Sequence, residues 1–117
     1  MAVWHEIGAI GLCKEDEMHE FEVANQVVLI WCHNGEYHAA QGLCPHMHGH
    51  LAKGKLEGTV VTCPRHGSRF DLLTGENLAW VSTLQGAARA LVVVGHKPAA
   101  LVLYPVKVID KRVMVQF

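Results

Sequence analysis

Val27-Val28-Leu29-Ile30-Trp31-Cys32-His33-Asn34-Gly35-Glu36-Tyr37-His38-Ala39-Ala40-Gln41 reads as a strand, a turn and a returning strand. Val27 to Cys32 is a compact apolar run. Asn34-Gly35 is the strongest short hairpin signal, because both residues accept the positive φ that a two-residue turn demands. Glu36 to Gln41 is the expected return. Further out, Thr59-Val60-Val61-Thr62 is β-branched and predicts a strand leading into Cys63. Asp71 to Gly75 reads as a turn. Leu101 to Ile109 and Val113 to Phe117 read as strands joined at Asp110-Lys111, with Val113, Val115 and Phe117 on one side of the last strand and Met114 and Gln116 on the other. Short strands between turn signals predict an all-β antiparallel sandwich or barrel. Residues 78–95 are ambiguous. Ser82 or Thr83 caps a helix carrying Leu84, Ala87, Ala88, Leu91 and Val92 on one face, the favoured reading, while Leu91 to Val94 also suits a strand. The apolar run Ala90 to Val94 is expected in the core.

The chain has 117 residues, half of them apolar and 18% charged, with a formal net charge of −1. That suits one globular domain, 1–117, and not a disordered chain. Lys and Arg are scattered, so no nucleic-acid partner is expected. No apolar run reaches the length of a membrane span, and the first residues lack a basic segment followed by an apolar stretch. The expected location is cytoplasmic. There, four cysteines read as metal ligands or thiols in preference to disulfides. Cys13 and Cys32 have no partner motif, and Cys32 reads as a small buried residue. Trp4, Trp31 and Trp80 read as packing residues, and His5, His19, His33, His38 and His96 as structural or surface residues.

Two segments carry chemistry: Cys44-Pro45-His46 and Cys63-Pro64-Arg65-His66-Gly67. Each offers a thiolate and an imidazole. Cys44 and His46 are separated by one residue, so in an extended loop they point in opposite directions and suit two metal ions better than one. The set fits a [2Fe–2S] centre in which one iron takes both sulfurs and the other both nitrogens. Pro45 and Pro64 fix the backbone after each cysteine, and Gly67 permits a sharp bend that brings N–H groups toward the sulfides. A structural zinc site is the competing reading, but zinc fingers order their ligands Cys-Cys-His-His, unlike the alternation here. His48 and His50 read as exposed loop residues. Met47 and Leu51 are expected to shield the cluster from water. Arg65 and Arg69 read as surface charges or a docking rim for an acidic partner.

The sequence resembles the Rieske family, and most closely its single-domain soluble ferredoxins. The resemblance rests on Cys44-Pro45-His46 with Leu51 and Gly54, on Cys63-Pro64-Arg65-His66-Gly67-Ser68 with Phe70, Thr74 and Gly75, and on the closing strand Leu103 to Val108. It implies one [2Fe–2S] cluster per chain, with Cys44 and Cys63 on the buried iron and His46 and His66 on the outer one. It also implies an inserted small cluster-binding subdomain of about residues 42–75. The potential then falls within roughly −150 to +300 mV.

Departures from the family pattern narrow that reading. The family's quinol-oxidising members carry a disulfide between the two loops, and Gly49 and Arg65 occupy those places here. Ser68 is kept, but Phe70 stands where those members have a hydroxyl-bearing Tyr. Together these predict an intermediate potential. The chain is also longer than usual between Gly75 and Tyr104, with the addition at about 80–95, and Gly95-His96-Lys97-Pro98 is expected to supply a third loop over the cluster. The implied role is one-electron transfer from a reductase to a terminal oxygenase or other oxidoreductase, with no catalytic residues in the chain itself. The alternative is a small Rieske subunit bound permanently within a reductase or oxygenase complex. The oligomeric state is left open.

Overall fold

Asn34 and Gly35 both take positive φ, 53° and 75°, and close the expected hairpin. It joins β3 (Gln26–His33) to β4 (Glu36–Gln41) in the register His33↔Glu36. The computed structural model describes residues 2–45, 49–65, 67–80 and 99–117. They form two units, one of Met1–Gly42 with Val102–Phe117 and one of Leu43–Leu101.

In the first unit, β2 (Met18–Val23) and β9 (Leu103–Tyr104) flank the hairpin, giving the order β2-β3-β4-β9. A second sheet holds β1 (Trp4–Ala9), β11 (Arg112–Gln116) and β10 (Val106–Ile109) in the order β1-β11-β10. All pairs are antiparallel. The core between the sheets gathers Val28, Ile30 and Ala39 with Val115, and Ile7, Phe21, Tyr37, Tyr104 and Phe117 pack at its edge. Val113 and Val115 are fully buried, as the alternation of the last strand requires.

The expected single strand Leu101–Ile109 is two strands in two different sheets. Leu103–Tyr104 pairs with β4, and Val106–Ile109 pairs with β11. Pro105 lies between them, has no N–H to give to a ladder, and marks where the chain changes sheet. Its carbonyl still accepts from the Gln116 N–H at 3.0 Å.

Two further hairpins use paired positive φ. Ala24 and Asn25 (49° and 63°) join β2 to β3, and Asp110 and Lys111 (51° and 63°) join β10 to β11. Right-twisted strands select this turn geometry.

Cys32 is buried, as expected, but the expectation of thiols in preference to disulfides is corrected for Cys13 and Cys32. They form a disulfide with Cα atoms 6.1 Å apart. Nothing in the spacing signals it. The chain between β1 and β2 folds back along β3, where the Asp16 N–H donates to the Cys32 carbonyl at 2.6 Å and the Cys32 N–H to the Glu17 carbonyl at 3.2 Å. Side chains add to this attachment. The Asp16 carboxylate meets His33 Nδ1 at 2.8 Å, and the Glu15 carboxylate accepts from the Asn34 and Gly35 N–H groups at 2.8 and 3.3 Å. His33 stacks on Trp31 with ring centroids 4.6 Å apart, which gives that histidine the structural role expected of it.

The second unit is built on β5 (Lys55–Glu57), β6 (Val60–Thr62), β7 (Arg69–Asp71) and β8 (Asn77–Ala79), antiparallel in that order. Leu51, Val61 and Phe70 are fully buried in it, with Leu72, Trp80 and Leu101 nearly so. The turn expected at Asp71 to Gly75 is present, with the Gly75 N–H donating to the Asp71 carbonyl at 2.7 Å. The helix reading within 78–95, the core placement of Ala90 to Val94 and the loop Gly95 to Pro98 fall mainly on residues 81–98, which lie outside the described residues; just before them Asn77–Ala79 is strand and Trp80 a buried bend. Among the described residues, no helix is long and apolar enough to cross a membrane.

Candidate metal centre

Both motif cysteines lie in the unit Leu43–Leu101. Each opens a loop closed in the same way. The Cys44 N–H donates to the Gly49 carbonyl at 2.8 Å, just inside the antiparallel bridge Leu43↔His50. The Cys63 N–H donates to the Ser68 carbonyl at 2.8 Å, just inside the ladder pair Thr62↔Arg69. In both loops the cysteine reaches the fifth residue along the chain. The second loop is therefore the tip of the β6–β7 hairpin. Gly67 takes φ 77° there, the bend expected of it, and its N–H donates to the Cys63 carbonyl at 3.1 Å. Left-handed backbone of this kind favours glycine.

Gly49 brings the two loops together. A methyl group built on its Cα would stand 2.7 Å from Cys63 Sγ and 2.8 Å from Arg65 Cγ. Only a residue without a side chain fits there unless its neighbours move. Gly54 closes the first loop under a similar constraint, because a side chain on it would run into the Thr62 carbonyl oxygen of β6. Between them the short 3₁₀ turn Leu51–Lys53 sets Leu51 inward and Lys53 outward.

Cys44 is 1% and Cys63 4% exposed, and neither is in a disulfide. Ser68 is 1% exposed, the buried polar residue at the base of the second loop. Two buried thiols on loops in mutual contact form a donor set of the soft kind that iron–sulfur clusters take. The thiol half of the predicted ligand set fits such a group. His46 and His66 lie outside the described residues, as do Met47 and His48.

The charge of this segment is one-sided. From Leu43 to Phe70 the sequence has Lys53, Lys55, Arg65 and Arg69 against a single carboxylate, Glu57. Lys53, Arg65 and Arg69 are all exposed. Sequence reasoning read Gly49 only as a missing cysteine. Its close approach to Cys63 depends on the pairing of Leu43 with His50, a contact that local sequence does not announce.

Comparison with known proteins agrees with this arrangement. Residues 3–87 match the Rieske [2Fe-2S] domain. The chain is 32% identical to the ferredoxin component of the p-cumate 2,3-dioxygenase system of Pseudomonas putida, over 76% of this chain and 88% of that protein. It is 29% identical to the ferredoxin component of the naphthalene 1,2-dioxygenase system of Pseudomonas putida, over 96% and 93%. Among solved structures, the ferredoxin of carbazole 1,9a-dioxygenase from Nocardioides aromaticivorans IC177 superposes with a TM-score of 0.74 at 20% identity, covering 96% of this chain and 95% of that one. That likeness establishes a shared fold. The sequence match across most of the chain, carried on two cysteine loops of common design, places this protein in the Rieske [2Fe–2S] family.

Proposed function

We propose that Cys44, His46, Cys63 and His66 hold one [2Fe–2S] cluster per chain, and that the protein is a cytoplasmic one-electron carrier working between a reductase and a terminal oxygenase. The observation that carries this reading is the pair of buried thiols on two loops with matching N–H closure, in contact through Gly49. The chain acts as one Rieske domain, and the loops from Leu43 onward are its working end.

When bound, the cluster supplies a one-electron redox couple. The protein contributes the surroundings. Burial of Cys44 and Cys63 keeps water from the sulfur ligands. The bonds that close each loop spend both cysteine N–H groups on backbone carbonyls, so the thiols are held by a fixed frame. His46 and His66, as neutral donors, leave less negative charge on the cluster than thiolates would. The role is transfer and not catalysis.

The partner surface follows from charge. Arg65 in the second ligand loop, with Lys53 and Arg69 just beyond the two loops, is exposed, so a protein docking there presents carboxylates. The similar proteins named above are ferredoxin components of dioxygenase systems, which supports an oxygenase as the electron acceptor.

Iron and acid-labile sulfide analysis of anaerobically purified protein tests the proposal, together with EPR of the dithionite-reduced sample. The expected result is about two irons and two sulfides per chain, with an average g below that of all-cysteine [2Fe–2S] ferredoxins because of mixed nitrogen and sulfur ligation. Zinc without sulfide would refute it. Replacing His66 by Cys should then raise the average g and lower the potential.

A further inference from the structure

We infer that Arg65 and Gly49 form a non-covalent clasp that locks the two ligand loops together and sets the position of Cys63 Sγ. The inference rests on the cluster reading above and adds to it a role for two residues that are not ligands.

Gly49 is buried at the end of the first loop, and Arg65 is exposed in the second. The position of a Cβ on Gly49 is crowded from two sides. Cys63 Sγ lies 2.7 Å from it, Arg65 Cγ 2.8 Å and Arg65 Cδ 3.0 Å. The missing side chain of Gly49 therefore leaves a notch that the sulfur and the arginine stem share. The methylenes of Arg65 lie over the first loop while the residue as a whole stays exposed, the usual way a long cationic side chain covers apolar surface.

This contact links the first loop to the second. The first loop closes on itself through Cys44 N–H and Gly49 O, and the second through Cys63 N–H and Ser68 O. Packing at the notch brings the far end of the first loop against a sulfur of the second. Removing the stem opens that sulfur to water and to competing ligands. Filling the notch from the other side, with a methyl on Gly49, pushes on Sγ itself. The two perturbations share one space, so their effects are not additive.

The test uses the full cluster-loaded chain. Cluster loss is followed anaerobically by visible absorbance in excess iron chelator, with visible circular dichroism and the midpoint potential measured alongside. The variants are Arg65→Ala, Arg65→Met, Gly49→Ala and the double variant Gly49→Ala/Arg65→Ala. Arg65→Ala should shed the cluster about tenfold faster, equivalent to about 1.4 kcal/mol. Arg65→Met keeps an unbranched stem without the charge and should stay within about twofold of the parent. Gly49→Ala should change the visible dichroism and shift the potential, and should do less further harm in the Arg65→Ala background than in the parent. Arg65 is exposed, so its two variants decide the matter even where Gly49→Ala fails to fold. An unchanged lifetime in Arg65→Ala overturns the clasp, and so does an Arg65→Met variant as labile as Arg65→Ala, which would assign the effect to charge. Parent protein lacking sulfide would instead refute the cluster reading.

Discussion

Removing the Cys13–Cys32 cross-link by Cys13→Ala/Cys32→Ala should destabilise the first unit by about 3 kcal/mol. The two cysteines are separated by 19 positions. Closing a loop of that size removes roughly 11 cal/mol/K of entropy from the unfolded chain, or about 3 kcal/mol at 298 K. In urea, with a slope of about 2 kcal/mol/M, this moves the midpoint down by about 1.5 M. The slope itself should rise, because an unfolded chain without the cross-link exposes more surface. Trp31 adjoins Cys32 in β3, is fully buried, and provides a fluorescence probe. The decisive comparison is the parent with and without a thiol reductant, since reduction breaks the bond while leaving every side chain in place. The reduced parent should approach the double variant. Superimposable curves for oxidised and reduced parent, in samples where thiol titration shows two more reactive groups after reduction, would refute the reasoning.

Other outcomes follow from single side chains. Phe70 is fully buried opposite Val61 across β6 and β7, so Phe70→Ala should cost about 3–5 kcal/mol in chemical denaturation and weaken retention of the cluster. Ser68→Ala removes a buried hydroxyl from the base of the second loop. Redox titration should give a lower potential, by about 40 mV if the hydroxyl favours the reduced form by about 1 kcal/mol; an unchanged potential would mean that it does not face the cluster. The Glu17 carboxyl is held below the usual glutamate range, first by the Lys14 N–H and then by His19. Its contribution to stability is therefore present above the unfolded glutamate pKa and lost as pH falls through the lower folded one. Carboxyl-detected NMR should show Glu17 titrating below the ordinary glutamate range, and Glu17→Gln should flatten the acid limb of the stability curve.

Local backbone chemistry was legible where one residue type carries it. Asn34-Gly35 announced its turn, and Asp110-Lys111 stood where the last hairpin reverses. The ligand loops were readable because Pro, Gly and Cys at those offsets have few other uses. Long-range pairing was not. Ala24-Asn25 makes the same kind of turn as Asn34-Gly35, but alanine seldom takes positive φ, so it gave no signal. The first strand was hidden by an irregularity between Glu6 and Gly8, where Ile7 falls out of register with β11 and the two-residue period breaks. Pro105 was visible, but that it divides one apolar run between two sheets depends on which strands wait on either side. The Cys13–Cys32 bond depends on a surface segment folding back along β3, which neither cysteine's neighbours dictate. His46 and His66 remain assigned by motif.

The points where the chain leaves and re-enters the first unit are pinned side by side. The Gln41 N–H donates to the Val102 carbonyl at 2.9 Å, and the Val102 N–H donates to the Gln41 side-chain oxygen at 2.7 Å. Everything from Leu43 to Leu101 thus departs from and returns to one hydrogen-bonded pair, Gln41 with Val102, next to the β4–β9 ladder. Lengthening the insert raises the cost of loop closure only logarithmically, so added residues load the scaffold lightly. The same pair marks the place at which the chain would be cut to exchange the second unit between carriers.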